Sequence, residues 1–371
     1  MISAALFLPS VTLAAAGGPA PSLESRLNEI ARQELATREG AGVAIGIIHA
    51  GERTTFFYGE KAKGSGHKPD GATLFQIGSI TKTFVATLLA DYVNKGKVRL
   101  DDPLSEYLPA VHVPSFNGRR ITLLDLATHT SGLPRSLGRW RRDQASVNDM
   151  FQFVGSLRLS RAPGQKYEYS NLGFALLAEA LAHAGGNDWA ALVHEEVAAP
   201  LQLNDTMVEP SGSQLDRRAQ GYDPKGQPAP WRSNVFPAMS GAGGLYSTMD
   251  DMLKYLAFNM GETDTPLKQL LIILHQSRRP AGIAPNQMAL GWHLRPASKG
   301  RIVWKNGGTP GFRSYIGFNP ATKVGLVVLT NSQMKPAPFV QAIFAHYGVI
   351  AEGTRTNPLQ PAAQESEEDQ P

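Results

Sequence analysis

Apolar residues recur along this chain with two different periods. Residues 22–37 carry them at the spacing of an amphipathic helix, and 42–50, followed across a glycine turn by 53–58, carry them as strands, which predicts a hairpin. Helical spacing returns with Ile80, Phe84, Val85, Leu88, Leu89 and Tyr92, and Asn94-Lys-Gly96 supplies a stop, so an amphipathic run that forms a buried helix is expected to open at Ser79. Asp102-Pro103 reads as a cap with proline in the first turn, and Thr122-Leu-Leu-Asp125 as a capping box. Further helices are expected over 173–183, 189–197 and 250–259. Strand character reappears at 302–305, 314–318 and 324–329, and 339–346 reads as a closing helix. This order predicts an α/β (α+β) fold. An antiparallel sheet is built from both chain ends (40–75 and 285–350) and flanked by terminal helices, and a mostly helical region (79–284) is inserted between them. The active site is then expected at the seam.

With 371 residues, 42% hydrophobic and 18% charged, the chain is of globular type, and 21–350 is read as a single domain. Its net charge is only +4, and its one basic cluster, 135–142 (RSLGRWRR), contains a single aromatic residue, Trp140. That cluster reads as a solvated surface, and no nucleic-acid partner is expected. Cysteine is absent, which removes disulfides, thiolate chemistry and cysteine-bound zinc. Residues 1–20 hold an apolar core followed by small residues, the pattern of a signal peptide without a basic start. That stretch is too short for stable membrane insertion, and a periplasmic or secreted monomer is expected. The end, 351–371, is polar, proline-bearing and acidic, and reads as a disordered tail.

The chemistry begins at Ser79 and Lys82. Three helical positions make nearly one turn, so the ammonium can reach the hydroxyl, and a serine near neutral pH needs such a neighbour to become a nucleophile. Spacing alone does not single out this pair, because Ser65/Lys68 and Ser332/Lys335 repeat it without opening an apolar helix. Two other stretches add weight. Gly164-Gln-Lys-Tyr-Glu-Tyr-Ser-Asn-Leu-Gly173 presents Tyr169 and Asn171 just before an apolar helix, although Asn171 could equally be a plain cap. Trp304-Lys-Asn-Gly-Gly-Thr-Pro-Gly-Phe312 places Lys305, Asn306, Gly307 and Gly308 at the end of an expected strand. Its glycines would let a substrate backbone approach, or would simply form a hairpin turn.

With these motifs in this order, the chain resembles the serine β-lactamase and penicillin-binding protein superfamily, most closely the class C β-lactamases and their D-alanyl-D-alanine peptidase and esterase relatives. The resemblance covers about 40–350 and includes Leu126-Ala-Thr-His-Thr-Ser-Gly-Leu-Pro134, Pro163-Gly164 and Gly311-Phe-Arg-Ser-Tyr315. It implies Ser79 as nucleophile, Lys82 as its proton-transfer partner and Tyr169 as a second acid/base group. Asn171 is implied on the substrate amide, with Lys305, Asn306 and Gly307 also on the substrate, and Lys305 beside both Tyr169 and the substrate carboxylate. The oxyanion hole would be formed by the Ser79 and Gly308 N–H groups. Neither a metal nor a cofactor is implied. Two ammonium groups beside a phenol favour its ionised form while each lysine disfavours the other, so the three are expected to titrate together, and no sole base is named.

The pattern departs in places that bear on the substrate. Asn306 stands where family β-lactamases carry threonine or serine. The asparagine and arginine that help hold a cephalosporin carboxylate fall on Pro336 and Phe339, and the glutamine after the Gly-Leu-Pro turn is missing, with Ser136 nearest. No Gly-x-Ser-x-Gly elbow or His-Glu-x-x-His is present, and His129 reads as a turn residue rather than a triad histidine. The expected function is therefore a serine hydrolase acting on a small-molecule or peptidoglycan-peptide substrate, a β-lactam or a D-alanyl-D-alanine peptide. A carboxylesterase using the same residues, and a penicillin-binding sensor without turnover, stand as alternatives.

Overall fold

Ser22 closes the first turn of α1 (Leu23–Leu35) by accepting the Ser25 N–H at 3.2 Å, and the helix buries Leu23, Leu27 and Ala31. This computed structural model describes residues 21–138, 145–230, 237–282 and 284–351. The signal-peptide reading of 1–20, part of the basic cluster (139–142) and nearly all of the acidic tail lie outside the described residues. After α1 the chain forms the expected hairpin, β1 (Gly42–His49) and β2 (Glu52–Gly59), and then β3 (Phe75–Gln76), a 3₁₀ turn at Gly78–Ile80 and α2 (Thr81–Asn94).

The helical region continues with α3 (Leu104–Tyr107), β4 (Ser115–Phe116), β5 (Arg119–Arg120), α4 (Leu123–Ala127), α5 (Val147–Ser156), α6 (Asn171–Gly185) and α7 (Trp189–Val193). It closes with α8 (Ser240–Gly243), β6 (Tyr246–Ser247), α9 (Met249–Asn259) and α10 (Leu270–Leu274). The second half of the sheet follows as β7 (Arg279–Pro280), β8 (Gln287–Met288), β9 (His293–Pro296), β10 (Arg301–Thr309), β11 (Phe312–Asn319) and β12 (Val324–Thr330), before α11 (Ala337–His346).

The two chain ends merge where β1 pairs antiparallel with β12, giving an eight-stranded sheet among the described residues in the order β2-β1-β12-β11-β10-β9-β8-β7. Next to the edge strand, β1 alternates between two cores. Val43, Ile45 and Ile47 pack with α1 and with Phe339, Val340, Ile343 and Phe344 of α11, whereas Ala44 and Ile48 face the helical region. Both faces are therefore covered, and the α/β class expected from the pattern is the one observed. Each fully buried Leu, Ile or Phe contributes about 1.5–3 kcal/mol relative to exposure.

Several boundaries differ from expectation for local reasons. The sheet reaches back to Arg279, ahead of 285. Thr81 through Tyr92 are all buried, so α2 is the axle of the helical region rather than an amphipathic helix. Two of its polar residues are satisfied by neighbouring backbone carbonyls: Thr83 Oγ1 donates to Ile80 O at 2.8 Å and Thr87 Oγ1 to Thr83 O at 2.9 Å. Asp102 does not cap α3. Its carboxylate accepts the Arg99 N–H at 2.6 Å and the Tyr107 hydroxyl at 2.5 Å. Thr122 and Asp125 do form the capping box of α4. Past Val193 the helix expected to reach 197 widens into a π turn, His194–Ala198.

Candidate active site

Every residue from Thr73 to Tyr92 is buried except Ser79. Its exposure follows from the turn that carries it. β3 pairs with β6, Gln76 Nε2 donates to Tyr246 Oη at 2.9 Å, and the Ile77 N–H donates to Leu245 O at 3.1 Å. On the other side Ser314 Oγ of β11 donates to Ile77 O at 2.8 Å. Gly78 then turns the chain with φ +49°, and a Cβ there would lie 2.7 Å from the Gly308 nitrogen. Only glycine meets both demands. Ser79 thus lies in the 3₁₀ turn one step before α2, not at the α-helix start itself.

From that turn Ser79 Oγ meets two polar hydrogens. Lys82 Nζ lies at 3.0 Å and Tyr169 Oη at 2.8 Å. Lys82 is wholly buried, and its Nζ also donates to Asn171 Oδ1 at 2.8 Å and to Ala242 O at 2.5 Å. Asn171 is the first residue of α6, and the cap is Ser170, whose Oγ accepts the Gly173 N–H at 2.9 Å. The plain-cap reading of Asn171 is therefore set aside, and its side chain reaches into the cluster. Lys305 is also wholly buried, with Nζ 3.5 Å from Tyr169 Oη and 4.6 Å from the Tyr169 ring centroid. Three chain segments that lie far apart in sequence so converge on one hydroxyl.

Gly307 is explained by the protein's own packing: a Cβ there would stand 2.1 Å from Ile77 O and 3.0 Å from Ser79 N. The alternative reading, a hairpin turn, holds for Pro310-Gly311 between β10 and β11 but not for Gly307 and Gly308, which lie within β10. Among the described residues β9 covers only Arg301 to Trp304, and the strand partner of Lys305 to Thr309 is β11. The strand therefore has an open edge beside Ser79, of the kind that accepts an extended chain. Asn306, half-buried, alternates to the opposite sheet face from Lys305 and Gly307.

His129 sits below Tyr169, with ring centroids 4.3 Å apart, and its Nδ1 accepts the Ser170 N–H at 3.1 Å. Burial first, then the charges of Lys305 and Lys82, hold its pKa well below the usual histidine range, so it stays neutral. With φ +56° in the Thr128–Pro134 turn, it has the turn role read from the motif. Sequence reading missed two neighbours. Ala242 contributes a backbone carbonyl, which no residue type announces, although the glycine-rich run 240–244 is a signal: a Cβ on Gly241 would lie 2.4 Å from Ala178 Cβ. Arg135 places its guanidinium carbon 5.2 Å from the Tyr169 ring centroid, and its carbonyl accepts the Asn171 N–H at 2.8 Å. Among the described residues no group of acidic and histidine side chains is arranged to hold a metal ion. A cavity of about 430 Å³ beside α7, lined by Asp188, Trp189, His194 and Glu209 among others, contains none of the Ser79 cluster.

The β-lactamase family profile matches residues 27–346. The chain belongs to the β-lactamase family. Within it, the chain is 31% identical over 357 residues to the D-alanyl-D-alanine-carboxypeptidase/endopeptidase AmpH of Escherichia coli, covering 90% of this chain and 91% of that protein. It is 28% identical over 339 residues to a β-lactamase of Pseudomonas fluorescens, covering 82% and 92% respectively. A solved structure of a family member, the β-lactamase/D-alanine carboxypeptidase of Yersinia pestis complexed with citrate, superposes with a TM-score of 0.72 at 27% identity, covering 86% of this chain and 99% of that one. Like its family, the chain is a hydrolase, and no helix among its described residues is long and apolar enough to cross a membrane.

Proposed function

We propose that the chain hydrolyses β-lactams or D-alanyl-D-alanine peptides through an acyl-enzyme at Ser79. The observation that carries this reading is the position of Ser79 Oγ, on the one half-buried residue within an otherwise buried segment and held between Lys82 Nζ at 3.0 Å and Tyr169 Oη at 2.8 Å. Ser79 attacks the amide carbonyl as its proton leaves to one of these neighbours, a proton passes to the departing nitrogen as the C–N bond breaks, and water then cleaves the acyl ester and restores Ser79. Hydrogen-bond inventory allows two patterns. A neutral Lys82 uses two N–H bonds on Asn171 Oδ1 and Ala242 O and turns its lone pair to the Ser79 proton. A charged Lys82 donates all three, and Ser79 then gives its proton to a Tyr169 phenolate steadied by Lys305. Proton position is thus a property of the cluster.

The open edge of β10 would receive the substrate backbone, the Asn171 amide would meet the substrate amide, and the Ser79 and Gly308 N–H groups would hold the developing oxyanion. The names of the relatives support both substrate classes. A carboxylesterase reading is favoured by one observation: Phe339, at a position where the family places a carboxylate-holding residue, is wholly buried in the α11 core. A panel of a chromogenic cephalosporin, N-acyl-D-alanyl-D-alanine and short p-nitrophenyl esters decides the matter. Ser79-dependent turnover of the first two supports the proposal. Esters turned over far faster than either would move the assignment to the esterase, and cephalosporin hydrolysis that survives Ser79→Ala would remove it.

A further inference from the structure

Lys305, the cation that the motif supplies for a substrate carboxylate, is wholly buried and stands against Tyr169. Pro336 and Phe339, where further carboxylate-holding groups would sit, offer only carbon. The sheet supplies another cation. Arg313 of β11 lies in register with Gly308 of β10, and its Nη1 is 2.2 Å from where a Gly308 Cβ would be, with its guanidinium carbon at 3.2 Å. The guanidinium therefore lies over Gly308, in the gap left by the missing side chain, on the stretch of β10 that β9 does not cover. Arg313 is half-buried, and by strand alternation it shares its sheet face with Asn306 of β10. Gly308 is also the residue whose nitrogen packs against Gly78 in the nucleophile turn. A substrate lying along that edge would have Lys305 on one sheet face and Arg313 on the other.

Building on the acyl-transfer reading above, we infer that Arg313 is a specificity-determining residue that pairs with the free carboxylate of the substrate, with Asn306 beside it. The guanidinium is a planar fork suited to two parallel bonds to a carboxylate, and lysine at this place would supply charge without that geometry. Gly308 has a second function in this arrangement, since any side chain there would close the guanidinium's path.

Binding measured in a Ser79→Ala background tests this separately from turnover. The probes are N-acetyl-D-alanyl-D-alanine and the same dipeptide with its C-terminus amidated, titrated by calorimetry at one ionic strength. With Arg313→Gln added, the acid is expected to bind at least tenfold more weakly and the amide less than twofold; Arg313→Lys is expected to fall between. Equal losses on both probes, no loss on the acid, or no preference for the acid with Arg313 intact would overturn the assignment. In the catalytically competent chain, Arg313→Gln is expected to raise KM for the acid with little change in kcat, and to leave an uncharged p-nitrophenyl ester unaffected, which also reports intact folding. Loss of all Ser79-dependent hydrolysis in the unmodified chain would instead count against the proposed function, while leaving the calorimetric result to judge Arg313.

Discussion

Tyr169 is the residue on which the site's charges meet. Its hydroxyl lies 2.8 Å from Ser79 Oγ and 3.5 Å from Lys305 Nζ, and Lys82 and Arg135 stand 5.1 and 5.2 Å from its ring centroid. Removing only the hydroxyl leaves the ring and its packing on His129, so Tyr169→Phe is expected to fold normally. It should lose about 10²–10⁴ in kcat/KM, the range for a positioned proton-transfer group. Steady-state kinetics beside an unfolding curve checks both halves, and activity within threefold of the unmodified chain would remove Tyr169 from proton transfer. The residue types of this cluster were legible in sequence because hydroxyl, ammonium and phenol announce their chemistry. Ala242 was not, because its contribution is a backbone carbonyl, and the aim of Arg135 depends on a loop whose carbonyl is tied to α6.

At the level of elements, the nucleophile turn is held from two sides, by Leu245 before β6 and by Ser314 of β11. Ser314→Ala removes one of two donors to the Ile77 carbonyl, leaving the Ile80 N–H at 3.2 Å, and is expected to cost about 0.5–1.5 kcal/mol. It should also lower turnover, since that carbonyl belongs to the residue two before Ser79. Urea unfolding together with cephalosporin or ester kinetics measures both, and a variant unchanged in each would show that the β11 contact does not hold the turn. The helices α1 and α11 were readable because their burial repeats at 3.6, and β1 and β12 because they are short apolar runs buried on both faces. Two-residue strands such as β3 and β6 have no period to read, yet they aim Ser79. The amphipathic reading of α2 failed because Thr83 and Thr87 look polar in sequence but spend their hydroxyls on its own carbonyls. Gly307 was singled out for a substrate's approach, whereas the tight contact observed is with Ile77 and Ser79.

Across the whole molecule, the sheet joins both chain ends and brings Lys305 back to a serine more than two hundred residues earlier. Pairings over such separations leave no local trace, so the convergence was visible only through the order of the motifs. Three buried histidines make the fold acid-sensitive. Burial holds the pKa of His275 down to about 3, and burial with the lysine charges holds His129 and His293 well below the usual range. Each binds its proton more readily when unfolded, so stability is complete above about pH 6.5 and falls as pH drops below it, by up to about 1.4 kcal/mol per pH unit for each group. For His275 the loss continues down to about pH 3. Urea midpoints at pH 7 and 5 should therefore differ, and His275→Gln should show a smaller difference although it is less stable at pH 7. Identical differences in the two chains would contradict the assignment for His275.

The central claim, that acyl transfer runs through Ser79, is tested most directly by intact mass spectrometry of the protein acid-quenched during reaction with a penicillin. A mass increase equal to the whole β-lactam, formed with the unmodified chain and absent with Ser79→Ala, is the result predicted. The same adduct on Ser79→Ala, or hydrolysis of the penicillin by that variant at the unmodified rate, would contradict it.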